Sequence, residues 1–243
     1  MYSRRYLQNS NENMAVIHKK TTKKNKNTKC HKTAKKIESI KTTQICTSMI
    51  LIFDTETTGL PCLATNKAFL NPKKFEFYDS CRVIEIGYAI YGKVDGKWVT
   101  LKEVDTFVKP DKFTIENSHI HGITNEIVNT DGIAINDALT EFGNDIKNVK
   151  KILAYNTNFD INVLLAEAYR AKNSVCSDAI CDKVKSKKCL DVMQLAKKKL
   201  KVTHIKLNQV YNQLIGEYKQ THRALDDVKL TAAVLFKLLE ISS

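Results

Sequence analysis

The run Met49-Ile50-Leu51-Ile52-Phe53 constrains this chain more than any other stretch, because it begins abruptly after 48 polar, Lys/Thr/Asn-rich residues. A short, continuous apolar run of this kind reads as a buried strand. It ends in Asp54-Thr55-Glu56. Residues i and i+2 of a strand project from one face, so the two carboxylates leave the strand end together. Carboxylates that close repel and raise each other's pKa unless a cation sits between them. A divalent ion resolves the conflict, and an all-oxygen ligand set favours Mg2+ or Mn2+. A polar strand end making a turn accounts for one acid there, and poorly for two in register. Thr58-Gly59 supplies the turn, since glycine adopts tight backbone conformations freely.

Charge is as unevenly placed as apolar surface. The 243 residues carry a formal net charge of +13, and residues 1–48 hold +10 of it. Segment 1–48 is therefore expected to be a disordered basic tail, and 49–243 the folded domain. Such a tail adds salt-sensitive affinity for phosphate without reading sequence. The lysines within 19–36 also fit a nuclear-localisation patch, and a solvated tail with no dedicated role is the blander alternative. A mitochondrial presequence fits less well, because such segments favour Arg over Lys.

No apolar run approaches the roughly 18–20 residues that span a bilayer, which argues against a membrane protein. Met1-Tyr2-Ser3-Arg4-Arg5 is not followed by an apolar stretch, which argues against a secretory signal. The seven cysteines, at 30, 46, 62, 81, 176, 181 and 189, form no even framework and no C-x-x-C pair. They are expected to be reduced thiols in an intracellular protein of cytoplasm or nucleus.

Beyond the first strand, 61–80 reads as an irregular insertion containing Pro61 and Pro72. Over 82–91 the pattern alternates, with Ile84, Ile86, Tyr88 and Ile90 on one face. Asp95-Gly96 marks a tight hairpin turn, and 98–108 forms the returning strand. Ile135, Leu139, Phe142 and Ile146 recur at helical spacing. Ile152-Leu153-Ala154-Tyr155 is a short buried strand feeding a helix over 158–171, with Asn158 as its N-cap. Residues 172–189 read as a Lys/Cys-containing loop, and 191–199, 206–218 and 224–239 as three further helices. Strands first, then alternating helix and strand, gives an α/β fold with a mixed sheet flanked by helices.

Two later segments bring more acids. In Tyr155-Asn156-Thr157-Asn158-Phe159-Asp160 the aspartate falls in the first turn of its helix, where compensation of the helix dipole is reason enough for it. The helix continues with Ile161, Val163, Leu164 and Leu165, so an Asp facing the sheet there is costly without a cation. In His222-Arg223-Ala224-Leu225-Asp226-Asp227, His222 and Asp227 would point about 140° apart on one helix. They converge only if His222 lies on the loop before the helix and Asp227 in its first turns. An imidazole with a pKa of about 6.5 suits a general base near neutral pH.

Taken in order, the three segments resemble the exonuclease motifs of the DEDDh (DnaQ-like) family. That family includes proofreading subunits of bacterial replicative polymerases, TREX-type exonucleases, RNase T and oligoribonuclease. Its Asp-x-Glu matches Asp54 and Glu56, its Asn-x-x-Phe-Asp matches Asn156 to Asp160, and its His-x-Ala-x-x-Asp matches His222 to Asp227. His121-Gly122-Ile123-Thr124 and Cys189-Leu190-Asp191-Val192-Met193 are similar to further landmarks, and the resemblance runs over about 49–240. It departs at Tyr155, where the family often has His, and in the length of the 61–80 insertion.

The resemblance implies an RNase H-like exonuclease fold with a mixed five-stranded sheet. It implies a metal-dependent 3′→5′ exonuclease that releases nucleoside monophosphates from single-stranded DNA ends, in proofreading, repair or end-trimming. Two divalent ions, Mg2+ or Mn2+, are expected about 3.5–4 Å apart. Asp54, Glu56 and Asp227 would hold one, with Asp54 also touching the second and Asp160 supporting that second ion through water. His222 would be the general base. Thr57, Gly59 and Leu60 would line the terminal-nucleotide pocket, with Leu60 as a wedge against the base, and Asn156 and His121 would also face substrate. A structural role for His121 at a helix start is the alternative. An RNA exonuclease of the same fold and a non-catalytic nucleic-acid-binding module are the competing functions. Expected partners are single-stranded DNA or RNA 3′ ends and, for proofreading, a separate polymerase.

Overall fold

The computed structural model describes residues 48–241. Apart from Ser48, the segment read as a basic tail lies outside the described residues, as do Cys30 and Cys46. The domain is built on a five-stranded sheet in the order β3-β2-β1-β4-β5. Strand β1 (Met49–Thr57) pairs antiparallel with β2 (Val83–Val94), which pairs antiparallel with β3 (Lys97–Phe107). On its other side β1 pairs parallel with β4 (Lys151–Ala154), and β4 parallel with β5 (Cys189–Asp191). The mixed sheet expected from the order of elements is therefore present. Asp95 and Gly96 turn the β2–β3 hairpin with φ of 48° and 81°, both in the left-handed region that a tight hairpin demands.

The helices are α1 (Ser118–His121), α2 (Asn125–Asp131), α3 (Ile135–Asn148), α4 (Thr157–Arg170), α5 (Ser174–Lys185), α6 (Val192–Leu200), α7 (Leu207–Leu214) and α8 (Ala224–Glu240). They cover both faces of the sheet. On one side Leu51, Phe53, Ile86, Tyr88, Ile90 and Ile152 pack against α3, α4 and α5. On the other, Ile50, Ile52, Ala89, Tyr91 and Leu153 pack against α6, α7 and α8. Each apolar side chain buried this way contributes about 1.5–3 kcal/mol. Burial on both faces is why the first strand is a continuous apolar run rather than an alternating one.

Strand β2 departs from simple alternation at one point. Ile86, Tyr88 and Ile90 share a face as expected, but Ile84 belongs to a separate cluster with Ile115, Ile123 and Val128. The register shifts between Glu56 and Thr57, so that Thr57 pairs with Val83 and Ile84 is turned to the opposite side.

The stretch 172–189 is not a loop. It holds α5, which Asn173 caps by accepting from the Cys176 amide at 2.9 Å. The helix packs on α3 so closely that a Cβ on Gly143 would lie 2.7 Å from the Cys176 Cα. The sequence pattern locates four strands; the fifth is the three-residue β5, with Asp191 ending it and capping α6 through the Gln194 amide at 3.1 Å. The 206–218 helix stops at Leu214, and Asn212 Oδ1 accepts from the Tyr218 amide at 2.9 Å beyond it. The 158–171 helix starts one residue early, with Asn156 rather than Asn158 at the cap position. His121 ends its short helix rather than starting one, and Gly122 follows in the left-handed region at φ 73°.

Candidate active site

The active-site end of the sheet is where β1 outruns its parallel neighbour. β4 pairs with β1 only from Ile50 to Ile52, so past Phe53 that side of β1 lacks a strand. The first turn of α4 takes its place. Asp160 Oδ1 accepts from the Thr55 amide at 3.0 Å and from Thr55 Oγ1 at 2.8 Å. Asp160 is 3% exposed, and these two bonds partly satisfy the carboxylate that the apolar α4 sequence would otherwise leave stranded.

Asp54 and Glu56 leave β1 on the face that α8 covers. Gly87 pairs with Asp54 across the sheet, and a Cβ there would sit 2.4 Å from the Leu225 amide nitrogen. Glycine at 87 is thus what lets the start of α8 lie directly on β2. Asp227, in the first turn of α8, then comes down beside the strand end. Asp54, Glu56 and Asp227 each bring a carboxylate oxygen within 4.8 Å of the others. His222 stands on the loop before α8, exposed and with φ 52°, the arrangement its spacing from Asp227 demanded.

Among the described residues no Lys or Arg is ion-paired with this group; Arg223, paired with Glu85, only weakly offsets the charge on Glu56. Burial, then the charges of Asp160 and Asp227, hold Asp54 well above the ordinary carboxylate range. Burial and Asp227 push Glu56 to about 8, and burial pushes Asp227 to about 6. Asp160 rises to about 7, raised by burial and held back by its Thr55 bonds. Asp227 Oδ2 accepts from Gln220 Nε2 at 2.5 Å, while its buried Oδ1 has no hydrogen-bond partner. Clustered oxygens, raised affinities for protons and an orphaned buried acceptor all fit a hard divalent cation. Asp226 points away and accepts from Thr221 Oγ1 at 2.8 Å.

The remaining predicted residues surround this cluster unevenly. Thr57 Oγ1 donates to the Gly59 carbonyl at 2.8 Å, and Leu60 is 76% exposed just beyond. The 61–80 insertion continues this rim. Ser80 Oγ donates to the Leu60 carbonyl at 2.8 Å, and the Cys62 amide to the Phe77 carbonyl at 2.9 Å. Asn156 is exposed at the start of α4. His121 is 3% exposed, and its Nδ1 accepts from the Ile123 amide at 3.0 Å while Nε2 has no partner. A ring accepting at Nδ1 carries its proton on Nε2, which leaves a buried donor there.

Two residues against the cluster were not singled out from sequence, Glu85 and Arg223. Glu85 is fully buried and pairs with Glu56 across β1 and β2, yet in sequence it is one acid in an otherwise apolar strand. Its partners lie 138 and 139 residues away, beyond the reach of any local pattern.

Residues 51–235 match the RNase T family model, described as an exonuclease. The chain is 28% identical over 193 residues to the PolC-type DNA polymerase III of Thermotoga maritima, and 30% over 194 to that of Thermotoga petrophila. In each case the match covers 79% of this chain and 12% of the relative's length. Among solved structures, Escherichia coli Exonuclease I in complex with a dA16 oligonucleotide superposes with a TM-score of 0.54 at 18% identity, over 80% of this chain and 41% of that one. A 3′-exonuclease described in 3′-end-specific recognition of a histone mRNA stem-loop gives 0.53 at 16% identity, over 80% and 82%. Both share the fold. The chain belongs to the RNase T/DnaQ-like exonuclease family, a family of 3′→5′ exonucleases, and is a hydrolase of that class.

Proposed function

We propose that the protein removes nucleotides one at a time from the 3′ ends of single-stranded DNA, releasing nucleoside monophosphates. The observation that carries this is the convergence of Asp54, Glu56 and Asp227, none of which is ion-paired with a Lys or Arg among the described residues. Asp54, Glu56, Asp227 and Asp160 are assigned as the ligands of two divalent ions, Mg2+ or Mn2+. Bound there, the ions neutralise the scissile phosphate and lower the pKa of water. His222 accepts the proton of the attacking water, and its exposed place on the loop before α8 leaves it open to bulk solvent for release of that proton. Asp160 keeps Thr55, and with it the strand end, fixed relative to α4.

Substrate contacts follow from the rim. Leu60 is an exposed apolar side chain three residues beyond the end of β1 and suits a wedge against the terminal base. The Thr57–Gly59 bond holds the backbone that would face the terminal sugar. Asn156, exposed at the start of α4, is assigned to the substrate, and so is His121, whose Nε2 donor is buried without a partner. DNA is preferred because the curated relatives are DNA polymerases. Matching about an eighth of such a polymerase also makes a separate polymerase a candidate partner in proofreading. RNA is the second reading, supported by the likeness to the 3′-exonuclease described with histone mRNA.

The experiment is a time course on matched 3′-labelled and 5′-labelled oligonucleotides, DNA and RNA, with Mg2+ or Mn2+ and with EDTA. Stepwise loss from the 3′ end that EDTA stops, faster on DNA, is expected. Faster loss on RNA would change the substrate, and no cleavage of either would overturn the catalytic reading.

A further inference from the structure

We infer that Glu85 and Arg223 form a positioning pair that fixes the His222 loop and the first turn of α8 against the strand carrying Asp54 and Glu56. The inference rests on the exonuclease reading for its kinetic consequence, and on geometry alone for its structural one.

Glu85 has no exposed surface. Directly opposite Glu56 on an antiparallel pair, it brings a third carboxylate to a face already crowded with acid, an arrangement that is unfavourable without compensation. The start of α8 supplies the positive charge that compensates it, and the Asp105 side chain on β3 is hydrogen-bonded to Glu85 as well. Arg223 donates from Nε and Nη2 to Glu85 Oε1 at 2.9 and 2.5 Å, and the Ala224 amide donates to Oε2 at 2.9 Å. The helix N-terminus favours an anion at that point as well. The guanidinium is further held between the Phe107 ring, 4.8 Å from its centroid, and Asp105 at 3.5 Å.

These contacts lie between the two residues whose placement matters most. His222, immediately before Arg223, has φ 52°, a conformation that a residue with a Cβ keeps only when its surroundings impose it. Asp227 follows one turn after Ala224, and its amide donates to the Arg223 carbonyl at 2.9 Å. A side chain bonded to both the Arg223 guanidinium and the Ala224 amide therefore sets the end of the loop and the helix start together. Glu85 touches no reacting atom in this scheme and acts through His222 and Asp227.

The test compares wild type with Glu85→Gln, Arg223→Ala, Arg223→Lys and the Glu85→Gln/Arg223→Ala double variant. Steady-state kinetics are read on a 3′-ended oligonucleotide at saturating Mg2+, with hydrogen exchange of the 220–228 amides alongside. Displacements of catalytic groups by about 1 Å cost on the order of a hundredfold. Each single variant is expected to lose roughly tenfold to a hundredfold in kcat, with KM changed by less than about threefold. The double variant should be no slower than the slower single one, and Arg223→Lys should recover part of the loss. Exchange should accelerate at 220–228 and stay unchanged in β1 and β4. Wild-type kcat in both single variants, additive losses, or faster exchange across the whole sheet would overturn the pair as a positioning device. Wild-type protein lacking EDTA-sensitive turnover would sink the exonuclease reading instead, and the exchange result would still decide the structural claim.

Discussion

Glu167 and Asp54 are both carboxylates enclosed by the sheet and its helices, and the fold treats them in opposite ways. Glu167, 2% exposed, accepts from Arg82 Nε at 2.6 Å and from the Val83 amide at 3.3 Å, and Arg170 Nη1 stands 2.9 Å away. Around Asp54 the nearest charges are Asp160, Asp227, Glu56 and Glu85, all of one sign. A chain that pairs two arginines directly with one buried acid, and no arginine directly with any of a cluster of three, has left that cluster for a cation from solution. The contrast also separates two kinds of stabilisation. The Arg82–Glu167–Arg170 group ties the insertion to α4, with Arg170 also donating to the Phe75 carbonyl and to Asp79 at 2.8 and 2.9 Å. The Asp54 cluster, its carboxylates held above their ordinary range, opposes the folded state near neutral pH until a cation binds.

The contrast predicts effects of different size and sign. Asp54→Asn should reduce turnover by roughly a thousandfold or more, since it removes a ligand from the metal site that carries the chemistry. A nuclease assay at saturating Mn2+ checks this, and near-normal rates would break the metal reading. Glu167→Gln should leave Arg82 buried without its anion and lower stability by about 3 kcal/mol, as loss of one partner from a buried pair does. Urea denaturation should show it, with kcat changed little. His222→Ala should slow turnover about a hundredfold with the melting midpoint unchanged, because the side chain is exposed and its loss removes a base rather than a contact.

Smaller, and opposite in direction from ordinary acid denaturation, is the pH dependence of the metal-free protein. Glu56 at about 8, Asp160 at about 7 and Asp227 at about 6 all lie above the usual carboxylate value. Folded protein therefore binds protons here more tightly than the unfolded chain does. The stability these groups contribute is present in full below about pH 4 and is lost as pH rises through about 6 to 8. Melting in EDTA should thus fall between pH 5 and pH 8, and Mn2+ should raise the midpoint more at pH 8 than at pH 5. Equal Mn2+ shifts at both pH values would mean that the carboxylates are not its site.

Much of this was legible in the sequence, for identifiable reasons. β1 announced itself because a strand buried on both faces must be continuously apolar, and its two acids fall in register. The α8 helix followed from its composition and spacing, and the loop position of His222 from the requirement that it converge with Asp227. What was not legible depended on distance or on weak patterns. Helix α5 carries Cys176, Ser177 and even Lys183 among its buried positions, so its inward face looks polar. Lys183 is held there by donating to the Val149 carbonyl, a partner on another element. β5 is too short for any period to show. Alternation puts Ile84 with Ile86, and the structure puts it in a separate cluster, because a bulge leaves no mark in an alternating strand. Glu85 and Arg223 meet only through the fold, as do Arg82 and Glu167.

The most direct test of the central claim is the thermal unfolding midpoint of wild type and Asp54→Asn at pH 8, each with EDTA and with Mn2+. Without metal, Asp54→Asn is predicted to melt above wild type, because it removes one of several like charges held together. With Mn2+, wild type is predicted to melt above the variant, because only the intact carboxylates hold the ion. A variant less stable than wild type in EDTA, together with no response of wild type to Mn2+, would show that the acids are stabilised by the fold itself and would contradict the account.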